Sequence, residues 1–136
     1  MTEAVLELKD VCFRWPNQDR ATIDLPELKI DQGERIFLQG PSGSGKSTLL
    51  SLVGGILVAE SGSLRVLGEE LKGLSRARRD AFRVTHLGFI FQLFNLLPYL
   101  SLEENVLLPL RFSKKRAQRA GPVSYTHLTL PTISRV

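Results

Sequence analysis

The chain has 136 residues, 43% of them hydrophobic and 24% charged, enough for one modest domain with a real core and ordinary for a globular protein. Its single cysteine, Cys12, excludes an internal disulfide framework and fits a reducing compartment. The net charge of +4 does not argue for a nucleic-acid partner: residues 111–136 hold six basic residues and no acid, whereas residues 1–110 carry twelve basic against fourteen acidic.

The opening MTEAVLELKD lacks the basic and apolar regions of a signal peptide. Residues 5–11 and 13–15 alternate apolar and polar, which predicts half-buried antiparallel strands; 16–19 is a turn. Residues 22–30 alternate again, with Pro26 demoting part of that strand to an edge. After a turn at 31–34, residues 35–39 read as a short buried strand, and 46–56 as a helix. The nearly apolar stretch 49–59 contains Ser51, Gly54 and Gly55 and is too short to span a bilayer. A strand is expected at 64–67, a charged helix at 74–84 and an apolar strand at 86–91. Ser101 and Glu104 have capping-box spacing, opening a helix at 102–108 that meets Pro109. From 121 on the character changes: GPVSYTHLTLPTISRV has two prolines, no acid and no amphipathic pattern.

The most informative stretch is GPSGSGKST at 40–48, directly after the apolar run Ile36, Phe37 and Leu38. The pattern G-x-x-x-x-G-K-[ST] is met by Gly40, Gly45, Lys46 and Ser47, with Pro41, Ser42, Gly43 and Ser44 between. Gly40, Gly43 and Gly45 can adopt backbone conformations closed to other residues, so successive N–H groups can face one concavity at a helix N-terminus. In such a cradle Lys46 supplies charge to the β- and γ-phosphates, Ser47 offers a hydroxyl to Mg²⁺, and Thr48 reaches the α-phosphate. The pattern points to nucleoside triphosphate binding without naming a family.

A small nucleotide kinase usually begins with its P-loop strand, whereas here 35–39 follows a run of antiparallel strands. That order resembles the nucleotide-binding domain of ABC transporters, and further residues carry the resemblance. Trp15, in VCFRWP, stands where that family places an aromatic residue, normally tyrosine, that stacks on adenine; an edge-strand tryptophan is the competing reading. ESGSLRV at 60–66 resembles the hairpin after the P-loop helix, and HLGFIFQ at 86–92 the strand ending in the Q-loop glutamine, which makes Gln92 a candidate for Mg²⁺ and for positioning water. LFNLLP at 93–98 with SLEENV at 101–106 resembles the lipoprotein-releasing and macrolide-efflux branch, where this region starts the helical subdomain and meets the membrane partner; Phe94, Leu96, Leu97 and Tyr99 suit either that groove or a core.

The resemblance implies an α/β fold, a P-loop NTPase core with an N-terminal antiparallel β subdomain. It also implies ATP and Mg²⁺ as ligands, Lys46 and Gln92 as catalytic residues, a transmembrane permease and a second nucleotide-binding domain as partners, and a cytoplasmic place on the inner face of the membrane. It covers residues 3–119, so the expected organisation is the N-terminal part of an ATP-binding domain over 1–120 and an atypical tail over 121–136. PVSYTHLTLP in that tail resembles a translated sequencing adapter more than a native C-terminus.

No LSGGQ-type signature, apolar strand ending in Asp-Glu or switch histidine is found in the sequence, so the Walker B half of the sheet and most of the helical subdomain are absent from it. Glu103 and Glu104 read as capping, His86 opens an apolar strand, and His127 lies in the tail. The expectation is weak ATP binding, no useful turnover and an exposed apolar edge. Two other readings remain: a different P-loop enzyme such as a nucleotide kinase, for which the arginines 76, 78, 79 and 83 would form the acceptor site, or a non-catalytic nucleotide- or partner-binding module.

Overall fold

The computed structural model describes residues 3–90 and 95–120. They fall into two compact units, Met1–Phe89 and Ile90–Val136. The first is built on an antiparallel sheet of four strands, β1 (Ala4–Phe13), β2 (Ile23–Asp31), β3 (Ser61–Val66) and β4 (Glu69–Glu70), in the order β2-β1-β3-β4. Helix α1 (Lys46–Val53) packs against it through Leu52, and α2 (Arg76–His86) follows a 3₁₀ turn at Leu71–Gly73.

Two separate segments, 5–11 and 13–15, were expected at the start, but one bulged strand forms. The buried residues of β1 are Leu6, Leu8, Val11 and Phe13, so the alternation skips one position between Leu8 and Val11. Asp10 absorbs the extra residue at φ 49°, and the pairing of β1 with β3 shifts between Lys9 and Cys12. The bulge returns Val11 and Phe13 to the core, where they meet Ile23, Leu52, Leu64, Val66 and Leu71. Pro26 lies in β2, at the edge of the sheet, where a missing N–H costs no ladder bond.

The β3–β4 hairpin is tied by Glu70. Its carboxylate accepts from Ser63 Oγ at 2.5 Å and from the Leu64 N–H at 3.0 Å, with Arg65 Nε 3.8 Å away. Burial pushes its pKa up, but these bonds, a further backbone bond from Lys72 and the Arg65 charge outweigh it, and the pKa lies below the ordinary 4.5. A carboxyl depressed on folding stabilises the fold above its unfolded pKa and loses that contribution as pH falls through the folded value. Urea midpoints of the parent and Glu70→Gln should therefore differ at pH 7 and draw together as pH falls below about 4.5; a gap that stays constant from pH 7 to about pH 2 would remove the carboxylate from the account.

Residues 35–39 do not form the predicted strand. They run without regular structure, with Phe37 86% and Ile36 56% exposed, and no strand among the described residues pairs with them. An apolar run becomes a buried strand only when a neighbour accepts and donates its backbone bonds, and no strand of the described sheet does so for this segment. The exposed apolar edge expected from the sequence is this segment. The strand expected at 86–91 is also absent from the described part: His86 closes α2, residues 87–90 are irregular, and Phe91 lies outside the described residues. Helix α2 starts later than the predicted 74 because Ser75 caps it, its side chain accepting from the Arg78 N–H. Helix α1 likewise stops at Val53, short of the predicted 56, where Gly54 and Gly55 follow.

In the second unit, α3 (Leu102–Phe112) and α4 (Lys114–Ala120) follow one another. The capping box forms as expected: Glu104 N–H donates to Ser101 Oγ at 3.1 Å and Ser101 N–H to Glu104 Oε2 at 2.8 Å. Pro109, however, does not end α3, which continues to Phe112; a proline removes one intrahelical bond, and here the turns on either side hold. Asn105 fastens the preceding turn, accepting from Leu97 N–H at 2.8 Å and donating to the carbonyls of Leu97, Leu100 and Ser101. Of the apolar residues singled out here, Leu96 and Tyr99 are exposed, Leu97 is half-buried, and Phe94 lies outside the described residues.

Candidate functional site: free N–H groups beside an indole

The site forms where α1 meets the glycine-rich loop. Helix α1 begins at Lys46, and its N-cap is Gly45, held in the left-handed region at φ 97° with no side-chain cap. A Cβ at Gly45 would stand 2.9 Å from the Thr22 carbonyl and 3.0 Å from Ile23 Cδ1, so both backbone angle and space demand glycine. Gly43 also has positive φ, but Gly40 does not. At Gly40 a Cβ would meet Ser44 Oγ at 2.8 Å, a side-chain end that can rotate aside. This corrects the expectation that all three glycines serve by unusual backbone angles.

The loop leaves its donors free. Ser44 N–H bonds to the Pro41 carbonyl and Leu49 N–H to that of Gly45. The N–H groups of Gly43, Gly45, Lys46, Ser47 and Thr48 have no acceptor among the described residues. A helix N-terminus ordinarily satisfies such groups by caps, water or ligand. Five unsatisfied donors in six residues, at the positive end of a helix dipole, make an anion cradle. Lys46 closes over it, its Nζ donating to the carbonyls of Gly40 at 2.5 Å and Pro41 at 2.7 Å and to Ser44 Oγ at 3.3 Å.

Trp15, carried out of β1, comes to the same place. Its Nε1 donates to Thr48 Oγ1 at 3.3 Å, and its ring stands edge-on to Phe13 at 5.2 Å and 87°. Trp15, Ser42, Gly43, Gly45, Lys46, Ser47 and Thr48 share an open cleft of about 420 Å³. The structure thus brings Trp15 and the loop together; Gln92 lies outside the described residues. Two lining residues were missed by sequence reasoning, Gln18 and Thr22, joined by a bond from Thr22 Oγ1 to Gln18 Oε1 at 3.2 Å. Gln18 belongs to the turn at 16–19, which reads as a connector, and Thr22 to the start of the segment read as an alternating strand; neither shows its place until the connection of β1 to β2 is seen beside the loop.

Ser47 is exposed at the helix start, a neutral oxygen donor of the kind Mg²⁺ accepts alongside phosphate oxygens and water. No cluster of three acidic, histidine or cysteine side chains suited to a metal is found among the described residues. The arginines of α2 do not line the cleft: Arg83 pairs with Asp80 at 3.0 Å and Arg79 donates to the Leu74 carbonyl. No helix among the described residues is long and apolar enough to cross a membrane.

A family profile described as "ABC transporter" matches residues 24–131. The chain belongs to the ABC transporter family. Among its relatives, the lipoprotein-releasing system ATP-binding protein LolD 2 of Rhodospirillum rubrum is 43% identical over 121 residues, covering 88% of this chain and 52% of its own length. The macrolide export ATP-binding/permease protein MacB of Bradyrhizobium diazoefficiens is also 43% identical, over 80% of this chain and 17% of its own. Both belong to the branch that residues 93–98 and 101–106 resemble. The structure is similar to the dimeric, post-hydrolysis ATP-binding cassette MJ0796 bound to ADP and Pi, with a TM-score of 0.72 and 32% identity over 85% of this chain and 53% of that one. The ABC chain thus has the fold of ATP-binding cassettes and spans about half the length of the LolD relatives it matches.

Proposed function

We propose that the chain is the nucleotide-gripping part of an ABC transporter's ATP-binding subunit. The observation that carries this is the row of free N–H groups at 43 and 45–48, which is the donor set a polyphosphate chain needs. Gly40, Pro41, Ser42, Gly43, Ser44, Gly45, Lys46, Ser47 and Thr48 hold the phosphates, and Trp15 packs on the base at the open end of the cleft. Ser47 and Gln92 hold Mg²⁺, whose charge offsets that of the phosphates. In the whole protein two such domains close on Mg-ATP and drive a membrane permease from the cytoplasmic face. Residues 1–120 are the cassette's N-terminal part and 121–136 an atypical tail.

This chain by itself binds without turnover, because hydrolysis needs a carboxylate to position water and a partner's signature loop, and its sequence has neither. Titration of Mg-ATP into the 136-residue chain should give saturable binding tighter than that of adenosine, with phosphate release no faster than in buffer. Equal affinity for adenosine and ATP would end the phosphate-cradle reading. Phosphate release abolished by Lys46→Ala would show that the chain is catalytic as it stands.

A further inference from the structure

Trp15 makes a contact that packing on a base does not require. Its indole N–H donates to Thr48 Oγ1, 33 positions away in sequence. A threonine deep in a helix can turn its hydroxyl back four residues, as Thr85 in α2 does in donating to the Ala81 carbonyl at 2.8 Å. Thr48, in the first turn of α1, has loop residue Ser44 four positions back and no helical carbonyl to take, so its hydroxyl is left for other partners. Its hydroxyl accepts from Trp15, and its own hydrogen has no acceptor among the described residues. A hydroxyl has one hydrogen and two lone pairs, so an N–H arriving on one lone pair turns the hydrogen away from the indole. Thr48 is buried on one side by the fold and borders the cleft of the free N–H groups on the other.

We infer that Trp15 is a positioning residue for phosphate, acting through Thr48: the indole N–H holds the threonine hydroxyl so that it presents its hydrogen to the polyphosphate. The inference rests on the phosphate-cradle reading, but it gives Trp15 a task that does not involve the base. Of tryptophan, tyrosine and phenylalanine, only the first carries an N–H donor in its ring. Phenylalanine keeps the ring and the edge contact with Phe13 but has no donor, and tyrosine carries its hydroxyl at a different point of the ring.

A probe without a base separates the two tasks. Inorganic tripolyphosphate, titrated calorimetrically into the full chain, should bind about 5-fold more weakly to Trp15→Phe, the loss expected for one hydrogen bond. Thr48→Val should lose as much, and the double variant no more than either single one, since both remove the same link. Thr48→Ser, which keeps the hydroxyl, should restore binding. Tripolyphosphate affinity unchanged in Trp15→Phe while ATP affinity falls would overturn the inference and leave Trp15 a base-packing residue. Additive losses would overturn it too. If the parent chain does not bind tripolyphosphate saturably, the cradle reading itself fails and the inference with it. Thr48 is buried, and if Thr48→Val does not fold, the titration of Trp15→Phe decides the matter by itself, since Trp15 is exposed and its replacement spares the core.

Discussion

Replacing Lys46 by alanine should weaken ATP binding about 100-fold, the loss expected when charge-assisted bonds to phosphate are removed. The lysine has three N–H donors, and all three are satisfied by the loop itself, through Gly40, Pro41 and Ser44. A phosphate chain entering the cradle must therefore take over at least one of them. The exchange is favourable because a phosphate oxygen carries a full charge where a carbonyl carries a partial one. Lys46→Arg should recover little, since a planar fork cannot take the place of a compact ammonium between two carbonyls. Adenosine supplies the control. It has no phosphate, so its affinity should be the same in the parent and in Lys46→Ala. If ATP affinity changes less than threefold, Lys46 serves only to brace the loop.

The geometry of the glycine-rich loop was legible because its requirements are local. Glycine at 43 and 45, a lysine at the helix start and hydroxyls after it are dictated by backbone geometry within nine residues, and the sequence displays all of them together. The capping box of Ser101 and Glu104 was legible for the same reason. Features that depend on distant partners were not. Residues 35–39 have the composition of a buried strand, but composition cannot say whether a neighbour is there to pair with. The contact between Trp15 and Thr48 joins a strand end to a helix start, and no spacing rule links positions 33 apart. Gly40 shows a subtler limit: the pattern marks it as glycine like Gly43 and Gly45, yet its φ is not positive and the nearest atom to a Cβ is the rotatable Ser44 hydroxyl. The bulge in β1 was illegible because Asp10 looks like any polar residue in an alternating strand, and only Gly62 on the facing strand reveals what Asp10 needs.

That dependence can be measured, and its disruption should be the largest single stability loss outside the apolar core. Gly62→Ala is expected to cost about 2–4 kcal/mol, combining a strained positive φ with a steric conflict. At φ 85° an alanine is already disfavoured, and its Cβ would lie 2.2 Å from the Asp10 carbonyl oxygen and 2.6 Å from that of Lys9. Those are backbone atoms of the central strand, so relief requires moving the bulge itself. Gly68 isolates the two contributions. It too has positive φ, 78°, but a Cβ there would meet nothing within 4 Å, so Gly68→Ala should cost only about 1 kcal/mol, the conformational part alone. Urea denaturation of both variants reads the difference. If the two losses are equal, β1 moves aside freely and the bulge is soft. If Gly62→Ala loses far more, the bulge is rigid, and the effect should reach the site. The strand beyond the bulge carries Phe13, whose ring holds Trp15 edge-on beside Thr48, so whatever of Gly62→Ala remains folded should also bind ATP more weakly than Gly68→Ala does.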